Sequence, residues 1–181
     1  MEDSCSWISA RNIWIKFGHG VYVSMDISVL PRLYLINAEN RSDSGKVHST
    51  VRQRWLDGDE FIRLSMNEVA NLALEGRKAL MDKDYTTLAT LMNRNFDIRR
   101  SMFGDEALGA LNLEMVEIAR EVGAASKFTG SGGAVVVFCP GGSSQVKDLE
   151  EACHKAGFIF EPVEVIPSRL NDSDLKTLTS T

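Results

Sequence analysis

The sequence predicts an α+β domain in which a few antiparallel strands carry helices on one face. Three observations lead to this prediction. Residues 60–81 form a long amphipathic helical pattern, residues 129–133 form a glycine-rich loop between two strand-like runs, and the elements follow a mixed order. That order is strand, helices, strand, loop, strand, helix, strand, which is typical of an antiparallel sheet covered by helices.

Length and composition describe one ordinary globular domain. The chain has 181 residues, of which 44% are apolar and 25% are charged. Its net charge of −5 argues against a general nucleic-acid binder. Three scattered cysteines without a CxxC pair predict neither a zinc site nor a disulfide framework. With no apolar run of membrane-spanning length and no secretory pattern, we expect a cytoplasmic protein without a membrane partner.

The first third of the chain predicts one strand, and the whole chain is predicted to divide into three segments. The apolar run Leu33–Ile36, which follows Pro31, predicts a buried strand. Residues 1–17 have no clear helix or strand period and are predicted to be aberrant or disordered. The domain itself is expected at 18–170, and residues 171–181 are expected to form a flexible tail.

Periodic apolar residues predict four helices. A helix through 47–56 is capped by Ser42, Asp43 or Ser44. The helix at 60–81 has its apolar residues at helical spacing, which predicts a buried face made of Ile62, Met66, Val69, Ala73 and Leu80. A second stripe holds Tyr85, Leu88, Met92 and Phe96. A further helix spans 108–122 and stops at Gly123.

The last third predicts three strands and one helix. Strands are expected at 126–129 and 134–138, and a half-buried strand at 158–165. Between the last two strands, Ser143 or Ser144 is expected to cap a helix that runs to about Ala156 and ends at Gly157.

The loop from Thr129 to Gly133 is the most informative part of the chain. Its three glycines allow the backbone to approach a ligand closely and to present its N–H groups to an anion. The same residues also suit a tight connection between strands with no ligand. Taken alone, the loop leaves both alternatives open.

The sequence around this loop resembles that of a known family. The run Lys127-Phe-Thr-Gly-Ser-Gly-Gly-Ala134 resembles the third motif of the GHMP small-molecule kinases, and residues 91–95 resemble the helix before it. Residues 43–55 and 95–105 resemble the glucuronokinases, which make glucuronate 1-phosphate from ATP and D-glucuronate. The resemblance covers roughly residues 17 to 178. It implies a ferredoxin-like GHMP kinase C-terminal domain, with an antiparallel sheet and helices packed on one face.

The resemblance also implies a site and its limits. The glycine loop would stabilise charge on the transferred phosphoryl group through five residues: Thr129, Gly130, Ser131, Gly132 and Gly133. ATP would be the donor and would bring Mg²⁺. The family's Pro-x-x-x-Gly-Leu-x-Ser-Ser phosphate-binding segment has no match in the sequence, and neither a catalytic residue nor a metal ligand is assigned. The chain is therefore expected to be inactive alone and to dock on an N-terminal kinase domain.

Several basic side chains have two interpretations. Arg52 or Arg54 would hold a substrate carboxylate bidentately, or both lie on a solvated helix face and pair with nearby aspartates. Lys127 touches a phosphate or extends into solvent. The neighbouring Arg99 and Arg100, with an aspartate at 105, are interpreted as an exposed charge network.

The unusual N-terminus suggests a frame hypothesis. A two-base shift of the possible codons for residues 6–16 allows a reading that resembles the segment before Gly-His-Gly in glucuronokinases. We therefore interpret the residues before about Lys16 as an out-of-frame translation that loses the candidate catalytic aspartate. Two alternative functions stay open at this point: a non-catalytic module that binds a sugar acid or pairs with an intact kinase, and a truncated product without function.

Overall fold

The computed structural model describes residues 13–16, 19–22, 25–38, 47–130 and 132–165. The chain divides into two units, one of Pro31–Val163 and one formed by Met1–Leu30 with Glu164–Thr181. The predicted boundaries at residues 17 and 170 lie outside the described residues and stay predictions. The interpretation of the residues before about Lys16 as an out-of-frame translation stays a prediction too, since residues 1–12 lie outside the described ones.

The described part of the smaller unit contains a hairpin that the sequence did not reveal. Strand β1 (Ile13–Lys16) pairs antiparallel with β2 (His19–Tyr22), and Ile13 lies opposite Tyr22. Four-residue strands are too short for an alternating pattern to be recognised, so this hairpin left no sign in the sequence. A short 3-10 turn at Ile27–Val29 follows, where the Asp26 carboxylate accepts a hydrogen bond from Ser28 N at 2.8 Å.

The larger unit contains a four-stranded antiparallel sheet. Its strands are β3 (Leu33–Asn37), β4 (Ala125–Phe128), β5 (Ala134–Phe138) and β6 (Ile159–Pro162), in the order β4-β5-β3-β6. All three pairings are antiparallel, and helices connect β3 to β4 and β5 to β6. This is the β-α-β-β-α-β order of a ferredoxin-like fold, so the predicted fold class is confirmed.

The ends of two strands differ from the prediction. Strand β4 begins and ends one residue earlier than expected, at Ala125 and Phe128. Strand β6 is shorter at both ends than the predicted 158–165. Phe158 cannot join it because Phe158 N donates to Cys153 O at 2.9 Å, which completes the end of the preceding helix.

Six helices complete the described part of the larger unit. They are α1 (Val47–Leu56), α2 (Glu60–Met81), α3 (Tyr85–Phe103), α4 (Asp105–Leu108), α5 (Ala110–Glu121) and α6 (Ser143–Lys155). Two aspartates start the long helical hairpin. Asp59 caps α2 by accepting from Ile62 N at 3.2 Å, and Asp84 caps α3 by accepting from Thr87 N at 3.0 Å. The predicted caps of α1 lie outside the described residues.

Two predictions about helices are wrong because of glycines with positive φ values. The expected helix over 108–122 is divided, because Gly109 adopts a φ of +83° and ends α4 before α5 begins. Gly142, rather than either serine, occupies the N-cap of α6 with a φ of +74° and makes no side-chain cap. Ser143 is therefore already the first helical residue, and the predicted serine cap is wrong.

The core lies between the helices and one face of the sheet. That face is formed by Tyr34 and Ile36 of β3 with their partners Val135 and Val137 of β5. Phe96 of α3 and Phe128 of β4 meet edge-to-face, with ring centroids 5.2 Å apart. The apolar stripe of α3 is confirmed, since its buried residues include Leu88, Met92 and Phe96.

The buried face of α2 is rotated from the predicted one. Ile62 and Leu80 are buried as expected, but Met66 is 40% exposed. The buried face instead passes through small residues, including Ser65 and Gly76, which allow close packing against α3. Small polar residues carry no apolar signal, so the hydrophobic pattern alone set the face incorrectly.

Candidate functional site

The glycine loop, defined as residues 129–133, joins β4 to β5 at one end of the sheet. Its base is closed by Thr129, whose N–H and hydroxyl groups both donate to Ala134 O at 3.3 Å. Residue 131 lies outside the described residues, so the described loop consists of Thr129, Gly130, Gly132 and Gly133. The loop therefore stands on two paired strands, which fix both of its ends.

Asn112 of α5 clamps the far side of the loop. Its Oδ1 accepts a hydrogen bond from Gly133 N at 2.8 Å, and its Nδ2 donates to Leu108 O at 2.7 Å. The side chain is buried, and of its two bonds the one to Leu108 O is fully buried and the one to Gly133 N is partly buried. A Cβ built on Gly132 would lie 2.9 Å from Asn112 Nδ2, which shows how closely the backbone approaches the amide. Sequence reasoning missed this residue, which carries no motif.

The glycines of the loop have different reasons to be glycine. Gly132 and Gly133 have φ values of +133° and +81°, which side-chain-bearing residues rarely adopt. Gly130 has no such φ, and a Cβ there would meet no atom of the structure within 4 Å. The described fold therefore does not require glycine at 130. Open space beside an exposed backbone is what a close-fitting ligand needs.

Two amides of the loop are available to an anion. Among the described residues, neither Gly130 N–H nor Gly132 N–H has a hydrogen-bond acceptor. Unpaired backbone amides bind oxyanions well, because their dipoles are fixed before the ligand arrives. The loop therefore fits a phosphoryl group on its geometry.

Lys127 does not extend into solvent. It lies on β4 with only 7% of its surface exposed, and its Nζ donates to Phe128 O at 2.7 Å. The solvent alternative is wrong, because the Lys127 side chain is buried on β4, which lies against α3. The ammonium group thus lies at Phe128, the residue immediately before the glycine loop. A contact with phosphate stays a prediction.

The two arginines of α1 stand apart from the loop in the described structure. Arg54 forms an ion pair with Asp59 at 2.7 Å, and this hydrogen bond holds the pKa of the Asp59 carboxyl below its usual range. The same guanidinium lies 6.0 Å from the centre of the Phe61 ring. Arg52 is exposed. Within the described residues neither arginine contacts residues 129–133, so a role in holding a carboxylate stays a prediction.

The exposed charge network expected at the end of α3 is only half correct. Arg100 forms a bidentate pair with Asp105, with both N–O distances at 2.6 Å, and this pair lowers the pKa of the Asp105 carboxyl. Arg99, in contrast, is 9% exposed, and Asn95 one turn before it is 8% exposed. Both continue the buried stripe of Met92 and Phe96, so helical spacing could have identified them.

Other chemistry is not supported by the described residues. Cys139 and Cys153 are buried free thiols, and burial raises the pKa of each to about 11, so they suit packing and not nucleophilic attack. No three histidine, cysteine, aspartate or glutamate side chains of the described part come together as a metal site. None of the described helices is both long and apolar enough to cross a membrane.

A shallow cavity of about 300 Å³ lies at the opposite end of the sheet from the glycine loop. Its walls include Arg32, Lys147 and the stacked rings of Tyr34 and Phe160, whose centroids are 5.1 Å apart. Residue 33 of β3 pairs with 138 of β5 near this cavity, whereas residue 37 pairs with 134 beside the loop. Cavity and loop are therefore separate features.

Comparison with known proteins gives two close sequence relatives. The chain is 70% identical over 166 residues to a probable glucuronokinase 2 and 72% identical over 163 residues to glucuronokinase 1, both from Arabidopsis thaliana. These matches cover 92% and 90% of the chain but only 45% of each relative. The chain thus spans about half the length of the curated relatives it matches. No family model matches it.

Solved structures agree on the fold. Mevalonate kinase from L. major, in complex with R-mevalonate, superposes with a TM-score of 0.67 at 20% identity, over 86% of this chain and 49% of that one. Mevalonate kinase from methicillin-resistant Staphylococcus aureus superposes with a TM-score of 0.58 at 17% identity, over 83% and 48%. At such identities the likeness concerns the fold alone. Over the matched residues the chain is therefore similar in sequence to the two glucuronokinases, and its fold is like that of the two mevalonate kinases.

Proposed function

We propose that this chain forms the acceptor-side part of an ATP-dependent sugar-acid kinase that converts D-glucuronate and ATP to glucuronate 1-phosphate and ADP. The observation that carries the proposal is the glycine loop, with unpaired amides at Gly130 and Gly132 and open space beside Gly130, in a chain 70% identical to a probable glucuronokinase. Phosphoryl transfer depends mainly on positioning and charge neutralisation, which fixed amides supply.

The role of the loop follows from its geometry. The N–H groups of Gly130 and Gly132 would donate to equatorial oxygens of the transferred phosphoryl group as negative charge redistributes in the transition state. The clamp by Asn112 on Gly133 N keeps the loop in place before the substrate binds. Since the loop does not reorganise at the moment of transfer, its dipoles act at full strength.

Mg²⁺ enters this proposal only as the ion that ATP carries. The described side chains offer no set of ligands for it, so no step is assigned to the ion. We propose the cytoplasm as the location, which suits two buried free thiols. The general base and the phosphate-binding segment are not assigned to any residue of this chain.

A second function is favoured by the formed glycine loop together with the unmatched phosphate-binding motif. With the loop formed and the family's phosphate-binding segment without a match, the chain is proposed to bind the sugar acid without turning it over, or to pair with an intact kinase. The two functions differ in one measurable property, which is turnover.

Calorimetry and a coupled assay test both functions on the 181-residue chain. We expect binding of D-glucuronate and little or no ADP formation from ATP and glucuronate. Turnover on the order of 1 per second, ordinary for an enzyme, would show that the chain is a complete kinase. A chain that binds neither glucuronate nor ATP would contradict the sugar-acid kinase proposal as a whole.

A further inference from the structure

The most unusual group in the larger unit is Arg99. Arginines near it each have a carboxylate: Arg94 with Glu68, Arg100 with Asp105 and Arg120 with Asp97. Arg99 is more buried than any of them, yet among the described residues it has no ion pair and no hydrogen bond. Its guanidinium carbon lies 5.7 Å from the centroid of the Phe103 ring. A buried arginine without an anion is costly, since its charge is desolvated without compensation.

Asn95 lies beside it with the complementary defect. The two residues are one helical turn apart on the same face of α3 and therefore neighbours. Asn95 Oδ1 is sealed from water and, within the described chain, accepts no hydrogen bond. We call Asn95 and Arg99 the α3 polar pair. One member lacks an anionic acceptor, and the other lacks a donor.

The α3 polar pair lies at the level of the glycine loop. Helix α3 runs along β4 in the same direction, since Asn93 Oδ1 accepts from Ser126 N at 3.0 Å and Phe96 contacts Phe128 one turn later. Three further helical residues advance about 4.5 Å, past the end of β4 at Phe128 and level with the start of the loop. The contact with Phe103 shows that the guanidinium of Arg99 extends towards this end of α3.

The terminal nitrogens of Arg99 remain accessible. Of the guanidinium nitrogens, only Nε is a fully buried atom without a partner in the described structure. The two Nη groups therefore keep an opening, and they form the half of the fork that grips two oxygens of a carboxylate. A ligand that enters here meets the cation first, and its hydroxyl group reaches the sealed Asn95 oxygen, one turn away, only when the side chains that cover this oxygen move aside.

We propose that the α3 polar pair recognises the acceptor substrate as a hydroxy acid, with its carboxylate on Arg99 and one of its hydroxyl groups donating to Asn95 Oδ1. This inference rests on the proposed function and deepens it, because it assigns the acid specificity to α3 and not to the arginines of α1. A phosphate group satisfies the cation but offers a poor donor for the amide oxygen. A neutral sugar satisfies the amide but leaves the cation unpaired. A sugar acid satisfies both.

The test combines ligand binding with the stability of the unliganded chain. The variants are R99M, which removes the charge at similar length, R99K, which keeps the charge without the fork, and N95L. The control is R94M, on the same helix, because Arg94 is exposed and paired only with Glu68. Calorimetry measures D-glucuronate, D-glucose and inorganic phosphate, and thermal unfolding is followed without ligand.

R99M is expected to bind glucuronate about 10- to 100-fold more weakly, as loss of charged hydrogen bonds predicts. It is also expected to unfold about 2–8 °C higher without ligand, because an unpaired buried cation is replaced by an apolar chain. R99K is expected to lose the affinity without gaining the stability, since lysine lacks the bidentate fork. N95L is expected to weaken glucuronate binding, and R94M to change neither property.

Each outcome of these measurements either supports or overturns the inference. Glucuronate binding that is equal in wild type and R99M would overturn the inference while the sugar-acid kinase proposal stands. Phosphate binding as tight as glucuronate binding, and lost in R99M, would place Arg99 on the donor side and overturn the acceptor assignment. If wild type binds no sugar acid, the proposed function and the inference fail together, even if R99M is more stable.

Discussion

Removal of the Asn112 side chain should loosen the glycine loop and destabilise the chain by a predictable amount. In N112A, Gly133 N and Leu108 O lose their partners at 2.8 and 2.7 Å. An unsatisfied buried polar group costs about 1–3 kcal/mol, and Gly133 is only half-buried, so water recovers part of its bond. We expect a loss of about 3 kcal/mol in the free energy of unfolding, or roughly 6–12 °C in the melting temperature for a chain of this size.

Urea unfolding monitored by circular dichroism measures the change. The control is N67A, on the exposed side of α2, which makes the same asparagine-to-alanine change in a helix and isolates the hydrogen bonds from helix propensity. N112D keeps the acceptor for Gly133 N but loses the donor to Leu108 O. Its free energy of unfolding should fall between those of N112A and N67A. Unfolding free energies of N112A and N67A within about 0.5 kcal/mol of each other would refute the clamp.

Three further predictions concern the loop, a thiol and an ion pair. Gly133→Ala should cost about 1–2 kcal/mol because its φ of +81° strains any other residue, whereas Gly130→Ala, with open space and no such φ, should change stability by less than about 0.5 kcal/mol. Urea titrations compare the two, and the reverse order would contradict the assignment. Cys153, whose pKa burial raises to about 11, should resist iodoacetamide at pH 8 in the folded chain and react once urea unfolds it, as peptide mass mapping will show. Reaction at equal rates in both states would exclude a buried thiol. Arg100 lowers the pKa of Asp105, so the stability from this pair is present above the ordinary value of 3.8 and is lost as pH falls through the folded pKa. The gap in melting temperature between wild type and R100Q should therefore close below pH 3.8, and a gap that stays constant down to pH 2 would count against the pair.

The sequence predicted those parts of the fold that depend on local patterns. Helix α2 has the bounds that its apolar spacing predicts, α3 carries the predicted apolar stripe, and the β-branched run of β5 has the expected bounds. The errors occur where backbone geometry competes with pattern. Gly109 divides a helix and Gly142 replaces a serine cap, because positive φ values are decided by how the chain turns in three dimensions and not by periodicity.

The candidate site was predicted in its loop and missed in its supports. A glycine-rich loop can be recognised in the sequence. Asn112 and Arg99, in contrast, are ordinary helical residues in the sequence, and only the structure shows that their polar side chains are buried. Arg99 was misinterpreted because arginine beside Arg100 suggests a solvated face. Its position one turn after Asn95 on an apolar stripe was the physical signal, since charged residues on a buried stripe need a reason to be there.

The contact of Asn93 with Ser126 has a consequence for association between copies of the chain. Strand β4 is an edge of the sheet, and a free edge offers unpaired N–H groups to a strand of another molecule. Here the Asn93 side chain occupies the Ser126 amide, and α3 lies along the strand. The other edge, β6, is only four residues long, contains Glu161 and ends at Pro162. The fold thus protects one edge with a helix and the other with shortness, charge and proline, which guards both sides of the sheet against aggregation by strand addition.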